Sequence, residues 1–360
     1  MHGVKMKDNL NVSNLLRIYE TEISKNVKNK KKLYDFEINK MQYIEDIINM
    51  LNNGVVGHKH YNIFLIFEPK CRLVMSLSVK DKVINHFVTR YILETKLCKY
   101  LDCRNVATRK GMGTDYAIRK VIKYINILKR KYKTFYVLKL DISKYFYSID
   151  HEVLKGLLID KLDDYEYNIV SEIIDTTNKE YINKTINKLK EDRDIPNYLY
   201  GKGLPIGNMT SQFLSIYYLY KLDYFIVHDL GLKYYIRYMD DFIILEKGKV
   251  KAKLLLKEIS IFLNKELHLN LNNKSRIYPN KMGINFCGYR IFETHILLRN
   301  RSKKKIKNNI KIWKKLYINN KINYKKMELS FNSWLGHARH ANSFNLINKV
   351  YDSLKMIITK

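Results

Sequence analysis

The sequence predicts an α+β protein in which a sheet is flanked by helical lobes. Three observations carry that prediction. Apolar residues recur at helical spacing near both ends of the chain, short β-branched and aromatic runs lie between them, and the scarce glycines gather in two clusters.

Taken in order, residues 1–60 alternate apolar and basic positions, as in Leu15-Leu16-Tyr19 and Ile44-Ile47-Ile48-Leu51, which predicts a helical N-terminal extension. Tyr61 to Leu77 carries β-branched and aromatic runs around Pro69 and predicts a hairpin. Helices are expected over 79–98 and 114–132. Thr134 to Ile142 predicts a strand ending in an acid, Asp141, and a helix begins near His151 with Asp150 as its N-cap. A charged, irregular stretch over about 161–198 then leads to the cluster Gly201, Gly203 and Gly207 and a long helix through Gln212–His228. Lys233–Tyr238 and Phe242–Leu245 predict two short strands with Met239-Asp240-Asp241 at their turn. A helix over about 249–266 and a β segment over Ile284–Phe292 follow. From Arg299 through Lys326 the chain has many Lys and Arg and no Asp or Glu, yet Ile306, Ile310, Trp313 and Leu316 keep helical spacing. That pattern predicts an amphipathic helix with a cationic outer face, suited to a nucleic-acid backbone and sensitive to salt.

Charge narrows the partner class. Lys and Arg number 66 against 35 Asp and Glu, a formal net charge of +31. Self-repulsion of that size is most easily tolerated beside a polyanion, and nucleic acid is the expected one. Codon bias in an AT-rich genome accounts for abundant Lys but not for scarce acids. Cys71, Cys98, Cys103 and Cys287 form no CxxC pair and are expected as reduced, buried thiols. No run of about 18 apolar residues and no signal-peptide core is present, so a cytoplasmic protein without a membrane span is expected.

Two adjacent carboxylates in an apolar hairpin, Tyr238-Met-Asp-Asp-Phe-Ile-Ile-Leu, need something to neutralise them. An Asp-rich turn facing solvent is the plain alternative. A third acid, Asp141, at the end of the apolar strand Val137-Leu-Lys-Leu-Asp favours chemistry. Three clustered carboxylates supply oxygen ligands for two Mg²⁺ ions about 3.5–4 Å apart, the arrangement used for in-line nucleotidyl transfer.

At these residues the chain resembles a known family. Asp141-Ile-Ser-Lys-Tyr-Phe-Tyr-Ser-Ile-Asp150-His151 resembles the first palm motif of reverse transcriptases, and Tyr238-Met239-Asp240-Asp241 their catalytic hairpin. The resemblance implies a right-hand polymerase with fingers over 61–134, a palm over 135–298 interrupted by 161–200, and a helical thumb over 299–360. It implies Asp141 and Asp240 as principal ligands of two Mg²⁺ ions (or Mn²⁺), with Ile142 beside Asp141 and Asp241 assisting. Phe146 stands where such enzymes exclude a ribose 2′-hydroxyl, a steric selection for dNTPs. Lys70 and Arg72 match the cations that face the incoming triphosphate, and Lys274 the lysine that protonates the leaving group.

The string Gly203-Leu-Pro-Ile-Gly-Asn-Met-Thr-Ser-Gln212 is the most specific. It resembles the corresponding motif of diversity-generating retroelement reverse transcriptases, with Gly207, Ser211 and Gln212 near a templating base or nucleotide. Arg109-Lys-Gly-Met-Gly-Thr, Phe286-Cys-Gly-Tyr-Arg-Ile-Phe and Ser333-Trp-Leu-Gly-His-Ala-Arg-His-Ala-Asn resemble other motifs of that group. The resemblance implies copying of a structured template RNA into cDNA, miscopying opposite adenine, and a small accessory protein as partner. Two alternatives stay open. One is a bacterial antiphage defence reverse transcriptase working with its own non-coding RNA, in which a protein hydroxyl could prime synthesis. The other is a non-catalytic RNA-binding scaffold, against which the acidic triad argues. Maturase, endonuclease and RNase H extensions are not expected, and His337 and His340 are expected to be structural.

Overall fold

The computed structural model describes residues 6–58, 60–67, 71–191 and 193–358. Among them are nine strands: β1 Asn62–Ile66, β2 Arg72–Ser76, β3 Tyr136–Asp141, β4 Tyr235–Tyr238, β5 Asp241–Glu246, β6 Arg276–Pro279, β7 Ile284–Phe286, β8 Tyr289–Ile291 and β9 Ile296–Leu298. They form a β1-β2 hairpin, a four-stranded sheet in the order β4-β5-β3-β6, and a three-stranded sheet β7-β8-β9. The rest is mainly helix, so the class is α+β. Chain contacts define two compact units. One comprises Met1–Thr108, Asp141–Lys233 and Lys257–Asn273; the other comprises Arg109–Leu140, Tyr234–Leu256 and Lys274–Lys360.

In the first unit the helical spacing near the N-terminus is realised. Leu15, Ile18, Tyr19 and Ile23 are buried along one face, and Ile44, Ile47 and Leu51 along helix Lys40–Asn52. The hairpin expected over 61–77 is present and antiparallel, with Ile63 opposite Met75. Its buried side, Ile63, Leu73 and Met75, packs with Ile182, Ile186, Ile195 and Tyr198. The stretch read as irregular over 161–198 instead contains two helices, Asp164–Ile174 and Glu180–Lys190. Asp163 starts the first through a capping box with Glu166, and Ile169, Val170, Ile173 and Ile174 are its buried face. The long helix expected over Gln212–His228 begins earlier, at Met209. It changes course at Leu219 before continuing as Tyr220–Tyr224 and a π-helical turn, Phe225–Asp229.

In the second unit, helix Thr114–Lys129 buries Ala117, Ile118, Val121, Tyr124, Ile125 and Leu128. The Tyr124 hydroxyl donates to the Tyr235 carbonyl at 3.2 Å and ties this helix to the four-stranded sheet. The β segment expected over 284–292 is a hairpin. It closes through Cys287 and Gly288, both at positive φ, with Phe286 opposite Tyr289. Three C-terminal helices, Asn300–Ile318, Tyr324–Ala338 and Phe344–Ile358, gather around Ile306, Trp313, Met327, Phe331, Val350, Leu354 and Ile357. Each such side chain contributes about 1.5–3 kcal/mol of transfer energy before entropy is counted.

One smaller expectation changes and another holds. Cys71, just before β2, and Cys103, in a turn, are exposed, and Cys98 and Cys287 are only partly buried. His337 is structural as expected: its Nδ1 lies 2.8 Å from the Tyr289 hydroxyl, and burial lowers its pKa. No described helix is long and apolar enough to cross a membrane.

Candidate active site

The β4-β5 hairpin presents two of the three acids. Tyr238 pairs with Asp241, so the loop has only two residues, Met239 and Asp240. Met239 adopts φ +58°, a conformation that costs a non-glycine residue about 1 kcal/mol or more. Arg237 stabilises this turn from below. Its side chain is fully buried, and Nη1 donates to the Met239 carbonyl at 3.0 Å. A guanidinium in a core strand is expensive unless its donors are used, so Arg237 is a built part of the turn.

The third acid arrives on the neighbouring strand. Asp141 is the last residue of β3, and β3 lies next to β5 in the sheet. Beyond it the chain pairs with 270–272: the Asp141 carbonyl accepts from the Asn272 amide at 2.7 Å, and the Ser143 amide donates to the Asn270 carbonyl at 2.9 Å. These bonds flank the Ile142–Leu271 bridge, a pattern that turns the Ile142 carbonyl to the strand's other side.

Lys139 belongs to the same face of β3 as Asp141, two residues away. Its ammonium pairs with the Asp241 carboxylate and lies 5.2 Å from the centre of the Phe286 ring. Beside it the Cys287 thiol is pushed up to about 12 by burial, with Lys139 opposing the shift. Burial, and then Cys287, also raises the Tyr238 hydroxyl.

Among the described residues no three His, Cys, Asp or Glu side chains are arranged to hold a metal ion. The donor chemistry nevertheless fits one. Carboxylate and carbonyl oxygens are what Mg²⁺ and Mn²⁺ prefer, and an ammonium already stands in for a cation at Asp241.

The other expected site residues that are described, Lys274 apart, lie in the first unit. Phe146 is half-buried in the short helix Tyr145–Ser148, its ring edge-on to Tyr145. The Phe146 carbonyl accepts from the Leu204 amide at 2.7 Å, and the Ile149 carbonyl from the Gly203 amide at 2.7 Å. His151, a helix-start residue as expected, does more. It is buried, contacts Asp175 through Nδ1 at 3.2 Å, and holds the Gly203 carbonyl with Nε2 at 2.8 Å. Asp150 caps its helix through the Glu152 and Val153 amides.

The glycines were read as letting backbone approach a ligand. Their immediate reason is internal. A Cβ on Gly203 would sit 2.5 Å from the Tyr198 ring, and one on Gly207 would sit 2.7 Å from the Met75 carbonyl of β2. The loop is therefore laced to both Phe146 and the hairpin. After it, Ser211 is buried and Gln212 exposed at the start of helix Met209–Tyr218. Around that helix runs a polar chain with no sequence signature. Asn208 donates to the Tyr61 hydroxyl at 3.0 Å, and Thr210 to Asn85 at 2.6 Å; Asn85 lies 2.8 Å from His58. Burial, then Lys179, pushes the His58 imidazole down to about 4, so it is neutral.

Arg72 is exposed at the start of β2, and Lys274 is exposed in the turn before β6. Lys70 lies outside the described residues. Arg237 and Lys139 are the two charged residues that sequence reasoning passed over. The signal for each was a lone cation inside an otherwise apolar strand.

Comparison with known proteins places the chain. The reverse transcriptase (RNA-dependent DNA polymerase) family matches residues 58–291, more than half of the sequence. No curated protein matches. Solved structures with similarity include apo telomerase from Candida tropicalis truncated of its C-terminal domain, with 14% identity, TM-score 0.46 and coverage of 67% of this chain. Telomerase from the same organism bound to a three-way-junction fragment of telomeric RNA shows 15% identity, TM-score 0.48 and 81% coverage. This chain spans 55% of each of those chains. The matched segment runs from before β1 to the end of β8 and includes all three acids, and the α+β architecture is that of a right-hand polymerase. The chain belongs to the reverse transcriptase family.

Proposed function

We propose that this chain is an RNA-directed DNA polymerase that copies a structured template RNA into cDNA, as the enzyme of a diversity-generating retroelement. The observation that carries the polymerase reading is the position of Asp141 and of Asp240-Asp241 on neighbouring strands inside the matched segment. Asp141, the Ile142 carbonyl, Asp240 and Asp241 would hold two divalent ions, which when bound activate a primer 3′-hydroxyl and offset charge on the leaving pyrophosphate. The chain's own residues do the rest. Arg72 and Lys70 are the cations offered to the triphosphate, and Lys274, in its exposed turn, delivers a proton to the leaving group. Gly207, Ser211 and Gln212 form the loop-to-helix corner against which the nascent base pair is placed. The basic C-terminal helices bind the template–product backbone. The retroelement assignment rests on the string Gly203–Gln212 and brings with it a small accessory protein and a cytoplasmic setting.

The purified chain, given an RNA template, a primer, dNTPs and Mg²⁺, is expected to make DNA whose sequence carries substitutions opposite template adenines. Faithful copying of adenines would remove the retroelement assignment while leaving the polymerase. Product covalently attached to the chain would favour the defence reading, and RNA binding without any DNA synthesis would favour the scaffold.

Phe146 supplies a second test. A rigid ring under the sugar leaves no room for a 2′-hydroxyl, and a steric term of this kind is worth roughly 10- to 100-fold in discrimination. Phe146→Ala is therefore expected to raise ribonucleotide incorporation relative to dNTP by about that factor. Unchanged selectivity in a competition assay would remove the assignment.

A further inference from the structure

We propose that Lys139 is an internal counter-ion of the acidic site: it holds Asp241 while no divalent cation is bound and must release it for the site to load. The inference rests on the polymerase reading above, because that reading makes Asp241 a ligand.

The geometry builds such a role from both sides. Along β3, Val137, Leu138 and Leu140 are buried, while Lys139 and Asp141 are only partly so. The Lys139 side chain is 17% exposed and Asp241 35%, so the pair is shielded but not sealed. An ammonium drawn that far from water needs an anion, and Asp241 provides it. The Phe286 face 5.2 Å away adds a weaker attraction for the cation. The neighbouring thiol, Cys287, stays neutral because of its burial and supplies no competing negative charge. The anion that Lys139 pairs with is therefore an acid of the triad.

The consequence follows from charge. Asp240 and Asp241 are adjacent in the chain, so without a cation their like charges oppose one another. Lys139 lowers that repulsion in the empty protein. A divalent ion binding Asp241 must displace the ammonium, and the lost ion pair is subtracted from its affinity. A lysine that served only to stabilise the sheet would leave metal affinity unchanged.

Mn²⁺ titration of the full chain without nucleic acid tests this, by calorimetry or by the spin signal of free Mn²⁺. Lys139→Met is expected to bind Mn²⁺ roughly three- to tenfold more tightly than the wild type, the worth of a partly shielded ion pair. Lys139→Arg is expected to stay near the wild-type value. In an Asp241→Asn background the gain from Lys139→Met should vanish. Wild-type or weaker Mn²⁺ binding by Lys139→Met overturns the proposal. Should Lys139→Met fail to fold, Lys139→Gln reads the same quantity. Misfolding of both that Mn²⁺ rescues supports the role, and misfolding that it does not rescue overturns it. RNA-templated synthesis by the wild type is scored separately. DNA made alongside unchanged Mn²⁺ binding in the variant removes Lys139 alone, whereas absence of DNA removes the polymerase reading.

Discussion

Asp240→Asn is expected to abolish RNA-templated DNA synthesis, lowering it by about 10³-fold or more, while RNA binding persists. The substitution is nearly isosteric and removes one negative charge from the two-residue loop between β4 and β5. If Asp240 is a principal ligand, the loss is several kcal/mol of transition-state charge stabilisation, which converts to that factor. The fold should tolerate the change. Asn suits tight turns as well as Asp does, and Arg237 anchors the loop through the Met239 carbonyl. In a chain of net charge +31, losing an acid cannot weaken RNA binding through charge, and in low salt it should strengthen it slightly. Primer extension and filter binding on the same preparation decide the matter. Retention of more than about a tenth of the activity would mean that Asp240 is not a principal ligand. Joint loss of synthesis and RNA binding would point to misfolding, to be checked by circular dichroism.

How much of this could be read in the sequence depends on the kind of signal involved. Strands and helices with a clean period were legible: the hairpin over 61–77, β3 ending in an acid, and the β4-β5 turn all lie where alternation placed them. Helix Glu180–Lys190 was not. Ile182 and Ile186 are buried and Tyr181 and Leu189 pack beside them, so an apolar period was present over this short helix, but the Lys and Asn residues between them made the stretch read as merely charged. Arg237 and Lys139 left only a faint signal, a lone cation in an apolar strand, for a different reason. In a chain with 66 basic residues one more cation carries little information, and only burial reveals that these two are engaged. The glycine cluster lay between these cases. Scarcity of glycine marked Gly203 and Gly207 as special, but the surfaces they approach, the Tyr198 ring and the Met75 carbonyl, depend on tertiary packing that local sequence does not encode.

Gly207 therefore yields the largest stability prediction. Its φ is +127°, a backbone state that an L side chain adopts at a cost of about 1–3 kcal/mol. A Cβ there would also meet the Met75 carbonyl at 2.7 Å and the Val74 side chain at 3.4 Å. The carbonyl is backbone in a paired strand and cannot rotate away. The adjacent Ile206 carbonyl accepts from the Met75 amide at 2.8 Å, so moving the loop outward breaks a hydrogen bond as well. Overpacking of this kind costs a further ~1–3 kcal/mol. Gly207→Ala is thus expected to destabilise the first unit by about 2–6 kcal/mol, on the order of 10 °C in its melting midpoint. Ser211→Ala provides the contrast. The same helix start loses a buried hydroxyl but gains no clash, so its effect should stay near 1 kcal/mol. A melt of Gly207→Ala within about 2 °C of the wild type would show that β2 and the loop can separate at no cost. The close approach at Met75 would then not be what demands glycine, and ligand proximity would become the better reason for it.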